Sequence, residues 1–431
     1  MKRFGLVALL LLAFSVIKAQ VLTLEDAINI ALKKSLDIQI ARNNVTASEI
    51  NNHISVAGGL PTVSGSLTNN QSVTNLNQKL SNGTTTKRNG NANNALNSSL
   101  EASFVVFNGF RVHATKQRLA ALERQSGQLV NAQIQNIIAS VMLGYYDVVR
   151  QYSYMETIRQ AIEVTLQRKK IIDARQSVGL ANNADTYQAQ LDLAASEQEF
   201  QSQELILIQA KSDLMTLLTQ RPDSAFAIRD TIVVDSLLSF DSVRVNIERN
   251  PDVLSAEQQI QINELIVKEI GAQRYPAISL NTGFNYSRSQ NAAGFTLLNQ
   301  NLGPYIGIGV GVPIFNGGLF KRQKRVAEID IRNATANREI LINTLENSAV
   351  KAWQAYNNNL KRLQVERETN RVAAALLQLT LQRYELSAAT IIEVREAQRS
   401  FVEAGYRLVN LSYAAKVAEI ELKRLSNQLG I

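Results

Sequence analysis

The chain contains one pattern twice, and this internal repeat limits the possible folds more than any other feature of the sequence. The segment Phe107-Asn108-Gly109-Phe110 recurs 208 residues later as Phe315-Asn316-Gly317-Gly318. The same offset continues downstream without an insertion, and it aligns Asp185 with Glu393. Upstream of the segment the offset is 215 residues. The sequence therefore predicts two copies of one architecture that differ in the length of one loop.

Within each copy the hydrophobic pattern changes in the same order. A helical pattern is followed by two alternating strands, a very long helical pattern and a shorter one. The first copy covers residues 20–220 with a β-hairpin at 62–107, and the second covers 241–431 with a hairpin at 277–315. A linker, 221–240, joins them. The predicted fold class is α+β with an internal two-fold repeat.

Some element boundaries are predicted in more detail. Single helices are predicted for residues 22–57 and 241–272, and a strand for Ile228–Val234 in the linker. The last strand is predicted to cover Tyr305–Phe315. The stretch Asn69–Asn94 is rich in Asn, Ser, Thr and Gly and has few large apolar residues, so a mobile, solvated loop is predicted there.

The strands of the second hairpin have one apolar face. Apolar residues alternate with glycine in Ile306–Val312, and mostly with serine and asparagine in Ile278–Tyr286. In an exported protein this pattern indicates strands of an outer-membrane barrel, apolar toward the lipid and polar toward the lumen. The alternative is a hairpin half buried against helices in a soluble protein.

The number of predicted strands bears on the oligomeric state. Open sheet edges are not tolerated in lipid, and closed membrane barrels have about eight strands or more. The two hairpins of one chain are therefore insufficient. We expect strands from several copies to combine, with two chains supplying about eight and three chains about twelve.

The first 19 residues resemble a secretory signal. Lys2 and Arg3 precede an apolar core, Leu6–Ile17, and Ala19 is a small residue before the expected cleavage point. The core is too short to span a bilayer, and no later stretch is long and apolar enough to do so. The sequence predicts an exported chain without a transmembrane helix.

The residue types needed for several kinds of chemistry are absent from the sequence. There is no cysteine, so disulfides, cysteine metal sites and a lipid anchor through cysteine are not expected. His53 and His113 are the only histidines, and neither belongs to a group with metal-ligand spacing. No catalytic motif is present, so no enzyme activity and no cofactor are expected. The net charge of +8 is spread along the chain, which argues against nucleic acid as a partner.

The duplicated order of elements, the Phe-Asn-Gly segment after each hairpin and two predicted helical turns together resemble the TolC-like outer membrane efflux protein family. The first turn, Val178-Gly179-Leu180-Ala181, is similar to the Val-Gly-rich turn of that family. The second, Arg383-Tyr384-Glu385-Leu386-Ser387, is similar to its Arg-Tyr-x-x-Gly turn, with Ser387 in place of glycine. The resemblance extends over nearly the whole chain after the signal.

The resemblance implies a homotrimer in the outer membrane of a Gram-negative bacterium. Four strands from each chain would form a 12-stranded β-barrel, continuous with a long α-helical barrel in the periplasm. The implied function is that of a passive exit duct in a tripartite efflux or type I secretion system. The implied partners are a periplasmic adaptor (membrane fusion) protein, an inner-membrane transporter and outer membrane lipid. A non-transport, periplasm-spanning coiled-coil stalk is the alternative, and the substrate remains open among drugs, metals, amphiphiles and polypeptides.

The resemblance also implies roles for particular residues. Glu393 and Glu396 would form an acidic ring at the channel aperture, for which a solvated helix face is the alternative. Tyr384 is the candidate gate latch. Two sets are larger. The adaptor-docking tips are Val178, Gly179, Leu180, Ala181, Leu386, Ser387, Ala388 and Ala389. The strand-to-helix joints are Phe107, Asn108 and Gly109 (first joint) and Phe315, Asn316, Gly317 and Gly318 (second joint).

Overall fold

The structure of the chain is a computed structural model that describes residues 20–179 and 181–429. The expected signal sequence, residues 1–19, and Leu180 of the first tip lie outside these ranges. None of the helices within them carries an apolar stretch suited to crossing a bilayer. The described residues form two compact units. The helical unit comprises residues 20–42, 128–254 and 340–429, and the sheet unit comprises 43–127 and 255–339.

The elements follow the same order in both halves of the chain. Those of the first half are β1 (Gln20–Val21), α1 (Leu24–Lys34), α2 (Leu36–Asn51), β2 (Thr62–Lys79), β3 (Thr85–Phe107), α3 (Arg111–Ser177) and α4 (Asn183–Leu217). Those of the linker and the second half are β4 (Phe226–Ala227), α5 (Phe240–Asn246), α6 (Pro251–Ala272), β5 (Ala277–Asn291), β6 (Leu298–Gly311), α7 (Leu319–Glu385) and α8 (Ile391–Leu425). A short 3₁₀ turn, Ile247–Arg249, lies between α5 and α6.

The helix lengths repeat together with the sequence. Both α3 and α7 have 67 residues, and both α4 and α8 have 35. The first and last residues of α3 and α4 each lie 208 positions before those of α7 and α8. The starts of α2 and α6 differ by 215. The offsets read from the sequence are therefore also the offsets between equivalent helices.

The four long strands form one antiparallel sheet in the sheet unit, in the order β2-β3-β5-β6. Paired residues of neighbouring antiparallel strands share a face. The register places Val63, Ala102, Thr282 and Ile306 in one row across all four strands. The face of this row also carries Leu67, Leu100, Phe104, Leu280, Phe284 and Ile308. The opposite face is mainly Ser, Asn and Gly, so the predicted division into an apolar and a polar face is confirmed.

The prediction of a mobile loop at Asn69–Asn94 is wrong. Strand β2 continues to Lys79 and β3 starts at Thr85, with a regular register such as Asn69 opposite Leu96. One irregularity occurs, between Thr74 and Leu76. The hydrogen bonds of a sheet join backbone groups, and polar side chains do not prevent them. The lack of apolar side chains in Asn69–Asn94 therefore indicates that these residues do not pack on a hydrophobic core. It does not indicate that they are outside the strands.

Other predicted boundaries were also wrong. The first predicted helix is two helices, α1 and α2, divided at Ser35, and the predicted helix 241–272 is likewise divided before Pro251. Proline has no backbone N–H to donate and fits the first position of a helix. Strand β6 ends at Gly311, so Phe315 lies beyond the strand. In the linker, only Phe226–Ala227 pairs as a strand, parallel to β1, and Ile228–Val234 does not.

The core of the helical unit holds the linker against the long helices. In the first half, Tyr145 is fully buried, and its hydroxyl donates to the Asp230 carboxylate and lies 3.0 Å from the Leu22 carbonyl. In the second half, buried Tyr356 donates to the Asp235 carbonyl. Apolar clusters surround both tyrosines. Each half thus fixes one part of the linker through a buried phenol.

Candidate functional site

The two helical turns predicted as tips begin their second helices in the same way. At the start of α4, Asn182 and Asp185 each bond the other's backbone N–H, which forms a capping box. At the start of α8, Thr390 and Glu393 do the same. A capping box satisfies two helix donors that would otherwise have no partner. The two tips are therefore equivalent in structure as well as in sequence.

The tips share a backbone conformation at equivalent positions. Gly179 has φ +78° and Ser387, 208 residues later, has φ +59°. This left-handed region favours glycine because a side chain at Cβ crowds the backbone there. The left-handed backbone therefore explains why glycine occupies the last position of the Arg-Tyr-x-x-Gly pattern. Ser387 adopts the same backbone conformation although it is not glycine.

The two carboxylates of the expected acidic ring have different surroundings. Glu393 accepts hydrogen bonds from the backbone N–H (3.2 Å) and hydroxyl (3.0 Å) of Thr390, and lies 3.8 Å from Arg383. The Thr390 N–H, then its hydroxyl, hold the pKa of Glu393 below its usual range. Glu396 is exposed and accepts no hydrogen bond from the described residues. The Glu393 carboxylate thus caps the start of α8, whereas the exposed Glu396 carboxylate takes no part in capping the helix.

Tyr384 is buried beneath the tips rather than exposed on them. Its side chain is 5 % exposed and packs with Ile172, Ala189 and Val394. The Arg175 guanidinium lies 5.0 Å from the centre of its ring, a cation–π contact. Its hydroxyl forms no hydrogen bond within the described part of the chain. The structure therefore places Tyr384 in the packing between the helices that end and begin at the two tips.

A charged network that the sequence analysis missed joins α8 to α3 and α4. Arg168 of α3 is 2 % exposed and donates to the Asp192 carboxylate of α4 at 2.5 Å. Arg395 of α8 reaches the same carboxylate at 3.4 Å. Burial lowers the pKa of Arg168, and Asp192 opposes that effect. The contact that the structure gives Arg395 is thus to α4.

An amide completes the connection between these helices. The Gln398 side chain donates to the Thr165 hydroxyl (2.7 Å) and to the Ala161 carbonyl (3.1 Å), and accepts from Arg168 (3.3 Å). A groove of about 280 Å³ lies along this network. Helix α8 is therefore held on α3 and α4 by polar contacts in addition to apolar packing, in which buried Val394 lies with Ile172 and Ala189.

The joints of the sheet unit also show left-handed backbone at equivalent positions. Gly109 (φ +69°) and Phe110 (φ +64°) correspond to Gly317 (φ +67°) and Gly318 (φ +76°). A side chain at Gly109 would lie 2.5 Å from the Ala272 carbonyl, whereas one at Gly317 meets nothing within 4 Å. The chain therefore enters the long helix by the same two-residue turn in both copies, under tighter packing in the first.

The sequence matches a known family over most of its length. A profile described as "Outer membrane efflux protein" matches residues 27–220 and 244–428, with a gap in the linker. The chain belongs to the outer membrane efflux protein family. The resemblance inferred from the sequence is confirmed.

Individual relatives in this family are distant. CusC of Escherichia coli (strain K12), named a cation efflux system protein, is 24 % identical over 297 residues, 66 % of this chain and 63 % of CusC. The matched region thus spans less than two thirds of that relative. TolC of Vibrio cholerae is 22 % identical over 312 residues, 70 % of each chain. The solved structure of VceC from Vibrio cholerae shares the fold, with TM-score 0.72 and 20 % identity over 94 % of this chain and 96 % of VceC.

Part of the predicted site comes together in one unit. The helical unit contains the described tip residues, and it also contains Glu393, Glu396 and Tyr384. The joints belong to the sheet unit. Arg168, Asp192 and Gln398 were not singled out. One signal was available, because Arg168 continues the apolar series Ile158, Ala161, Thr165 and Ile172 at three- and four-residue steps. An arginine is almost never fully buried without a partner, so its place in a helix seam predicts an acidic neighbour.

Proposed function

We propose that this protein is a passive exit duct of the outer membrane that works as a homotrimer. The observation that carries the proposal is the open four-stranded sheet, apolar on one face, whose outer strands β2 and β6 each lack a neighbour on one side within the described chain. Lipid does not tolerate such edges. Pairing β6 of one copy with β2 of the next would close the sheet, and three copies would give about twelve strands, within the range of membrane barrels.

The dimensions of the apolar face agree with a membrane barrel. On β5 this face extends from Ile278 to Tyr286, and the next residue on it is Arg288. The range from Ile278 to Tyr286 is nine residues, and a tilted transmembrane β-strand has about 9–11. The polar extensions of β2 and β3 would then lie outside the membrane. Val63, Leu67 and Ile306 on this face are exposed in the described chain, whereas the soluble alternative requires them to be buried.

The tips are proposed to serve as the periplasmic entrance and adaptor-docking surface. Glu396 would supply the acidic ring together with Glu393, whose carboxylate also starts α8. The contact between Arg395 and Asp192 is proposed to latch α8 in the resting state, with Tyr384 as the packed support beneath it. The two repeats, 20–220 and 241–431, would each contribute one hairpin and one tip. Energy would come from an inner-membrane transporter, reached through a periplasmic adaptor.

Conductance in planar bilayers tests the proposal. The purified protein should form channels and behave as a trimer by mass, whereas a coiled-coil stalk would not conduct. Glu396→Gln should reduce cation selectivity without altering the start of α8. Glu393→Gln serves as the comparison, because it removes the charge and keeps a side-chain oxygen that can accept the capping hydrogen bonds from Thr390. Unchanged selectivity in both variants would count against the acidic ring, and absence of conductance would count against the duct.

The docking role of the tips needs its own experiment. Gly179→Trp places bulk on an exposed turn where no atom lies within 4 Å of the added Cβ. Cross-linking to the adaptor should be lost while the trimer remains. Gly58→Trp, in the sheet unit, is the control, since Gly58 has the same φ of +78° and its added Cβ also meets nothing within 4 Å. Normal cross-linking by the Gly179 variant would show that the first tip is not part of the docking surface.

A further inference from the structure

The second strand-to-helix joint lines a basic groove. The groove has a volume of about 610 Å³ and lies between the end of α6, the end of β6 and the first turns of α7. Its lining includes four cationic side chains, Arg274, Lys321, Lys324 and Arg325, and one carboxylate, Glu328. Arg274 comes from the α6–β5 connection, and the other three belong to α7. Two separate elements thus direct positive charge to one place.

Most of this positive charge is not neutralised within the described chain. Lys324 lies 3.6 Å from Glu328, and Arg274, Lys321 and Arg325 form no ion pair with a described residue. Lys321, Lys324 and Arg325 have the three- and four-residue spacing that places side chains side by side on a helix. Like charges so placed destabilise a helix. Arg274, Lys321 and Arg325 therefore have no stabilising carboxylate among the described residues, and the cluster is suited to an external anion.

An apolar stripe leads from the sheet to this groove. The alternate residues Ile306, Ile308, Val310, Val312 and Ile314 are all exposed, and Ile314 is 94 % exposed. Ile314 and Phe315, itself 88 % exposed, also line the groove. Exposed aliphatic surface continuous with a cationic groove suits an amphiphile with an anionic head and an apolar tail. An acidic protein surface would match the cations but would leave the stripe in water.

We propose that the groove of Arg274, Lys321, Lys324 and Arg325 binds the phosphate of an anionic phospholipid, whose acyl chains lie along the stripe from Ile306 to Ile314. This inference rests on the proposed function, because the stripe meets acyl chains only if the sheet forms a membrane barrel. The groove then lies where the barrel ends and the helices begin, at the depth of phospholipid head groups. Arginine and lysine both bind phosphate oxygens through charge-assisted hydrogen bonds.

The first joint provides a natural comparison within the same chain. Its groove is smaller, about 290 Å³, and His113 and Lys116 are its only basic residues. The Lys116 ammonium already donates to the Asn52 side chain. The two joints therefore share the turn but not the charge, and the lipid site is assigned to the second joint alone.

Native mass spectrometry of the full-length detergent-solubilised protein tests this assignment. The protein is titrated with phosphatidylglycerol, with phosphatidylcholine of the same chain length and with inorganic phosphate alone. We expect phosphatidylglycerol to be retained in preference to phosphatidylcholine. The double substitution Lys321→Gln, Arg325→Gln should weaken phosphatidylglycerol binding about thirtyfold, since each cation near an anionic lipid surface contributes about fivefold. Arg274→Gln, in the α6–β5 connection, should also weaken phosphatidylglycerol binding, because Arg274 lines the same groove from a different element.

A matched control uses two exposed cations elsewhere on α7. Arg332→Gln with Lys361→Gln removes the same charge and should leave phosphatidylglycerol binding unchanged. Equal losses in both double variants, or no lipid preference in the wild-type protein, would overturn the inference. The inference would also be overturned if inorganic phosphate displaced phosphatidylglycerol at the concentration of the lipid. It would likewise be overturned if the Lys321, Arg325 double variant lost adaptor binding but still bound phosphatidylglycerol. Conductance of the same preparation separates the two proposals: channels without lipid preference overturn only this one, and no channels overturn the duct.

Discussion

At the scale of single residues, equivalent positions in the two repeats separate backbone conformation from packing. Gly109 and Gly317 have nearly the same positive φ, so any side chain strains both. Only at Gly109 would the added atom also press on a neighbouring carbonyl, that of Ala272. The difference between the two positions therefore measures the packing of the first joint alone.

Gly109→Ala should destabilise the protein more than Gly317→Ala. The left-handed conformation costs about 1–2 kcal/mol of folding free energy at either position. At Gly109 the clash also requires a backbone shift, which makes the total cost several-fold larger than at Gly317. Thermal unfolding of the detergent-solubilised protein measures both. Equal midpoints for the two variants would mean that the first joint adjusts without strain.

Ser387 is a second residue whose conformation predicts a substitution. Ser387→Gly should stabilise the second tip, because the relief of about 1–2 kcal/mol exceeds the ~0.5–1 kcal/mol that glycine loses in chain entropy. Amide hydrogen exchange at residues 385–391 should slow several-fold. Ala388→Gly, in the same turn but outside the left-handed region, is the control and should accelerate exchange.

At the scale of secondary-structure elements, α8 contacts α3 and α4 through apolar packing and through side-chain polar groups. Arg395→Gln removes one such contact, and the half-exposed ion pair contributes at most ~1 kcal/mol. The open state should therefore be populated up to about fivefold more. Single-channel recordings measure this population. Arg399→Gln is the control, because Arg399 pairs with Glu403 within α8 itself. Unchanged opening in the Arg395 variant would exclude the latch.

The linker is held to α8 by a second charged cluster. Glu419 is 1 % exposed and bonds Lys416 and Lys423 at 2.9 Å each, while its other oxygen accepts from the Asp235 N–H. Glu419→Leu should cost about 3–5 kcal/mol, because it leaves Lys416 buried without a partner. Adding Lys416→Met should recover most of this loss, as seen by thermal unfolding. Failure of the double substitution to recover stability would show that Lys423 and Asp235 depend on Glu419 more than Lys416 does.

The same cluster predicts a pH dependence. The Leu237 N–H, followed by Lys423, lowers the pKa of Asp235 below its usual range. A lowered pKa in the folded state means that the stabilisation is present above the unfolded value, about 3.9, and is lost as pH falls through the folded value. Limited proteolysis in the linker, residues 221–240, should therefore increase only below about pH 4. Increased cleavage between pH 5 and 7 would contradict this assignment.

At the scale of the whole molecule, the open edges β2 and β6 predict how copies assemble. The sequence contains no cysteine, so introduced pairs give no background. Leu302→Cys on β6, combined with single cysteines placed along β2 from Ser64 to Ser72, should cross-link neighbouring copies at one register. The ladder should end at the trimer, because the third link closes the ring. Bands beyond the trimer, or none at any register, would reject the closed barrel.

The element order and the family follow from the amino-acid sequence alone. The repeat offset, the alternation in the strands and the long helical patterns depend on local periodicity, which each segment carries independently. These predictions held even where the side chains differ, as at Gly179 and Ser387. The full length of β2 and β3 could not be predicted from the sequence. Their polar residues pair through backbone hydrogen bonds, and such residues show no alternation of apolar and polar side chains.

Which charged side chains contact each other depends on the packing of the helices in the folded chain. Arg168, Asp192 and Arg395 lie on three helices, and no sequence spacing places one carboxylate between two arginines. The same holds for the groove at the second joint, where Arg274 lies 47 residues before Lys321. Periodicity specifies the face of a helix on which a residue lies. The partner on another element depends on how the helices pack, and that is a property of the whole fold.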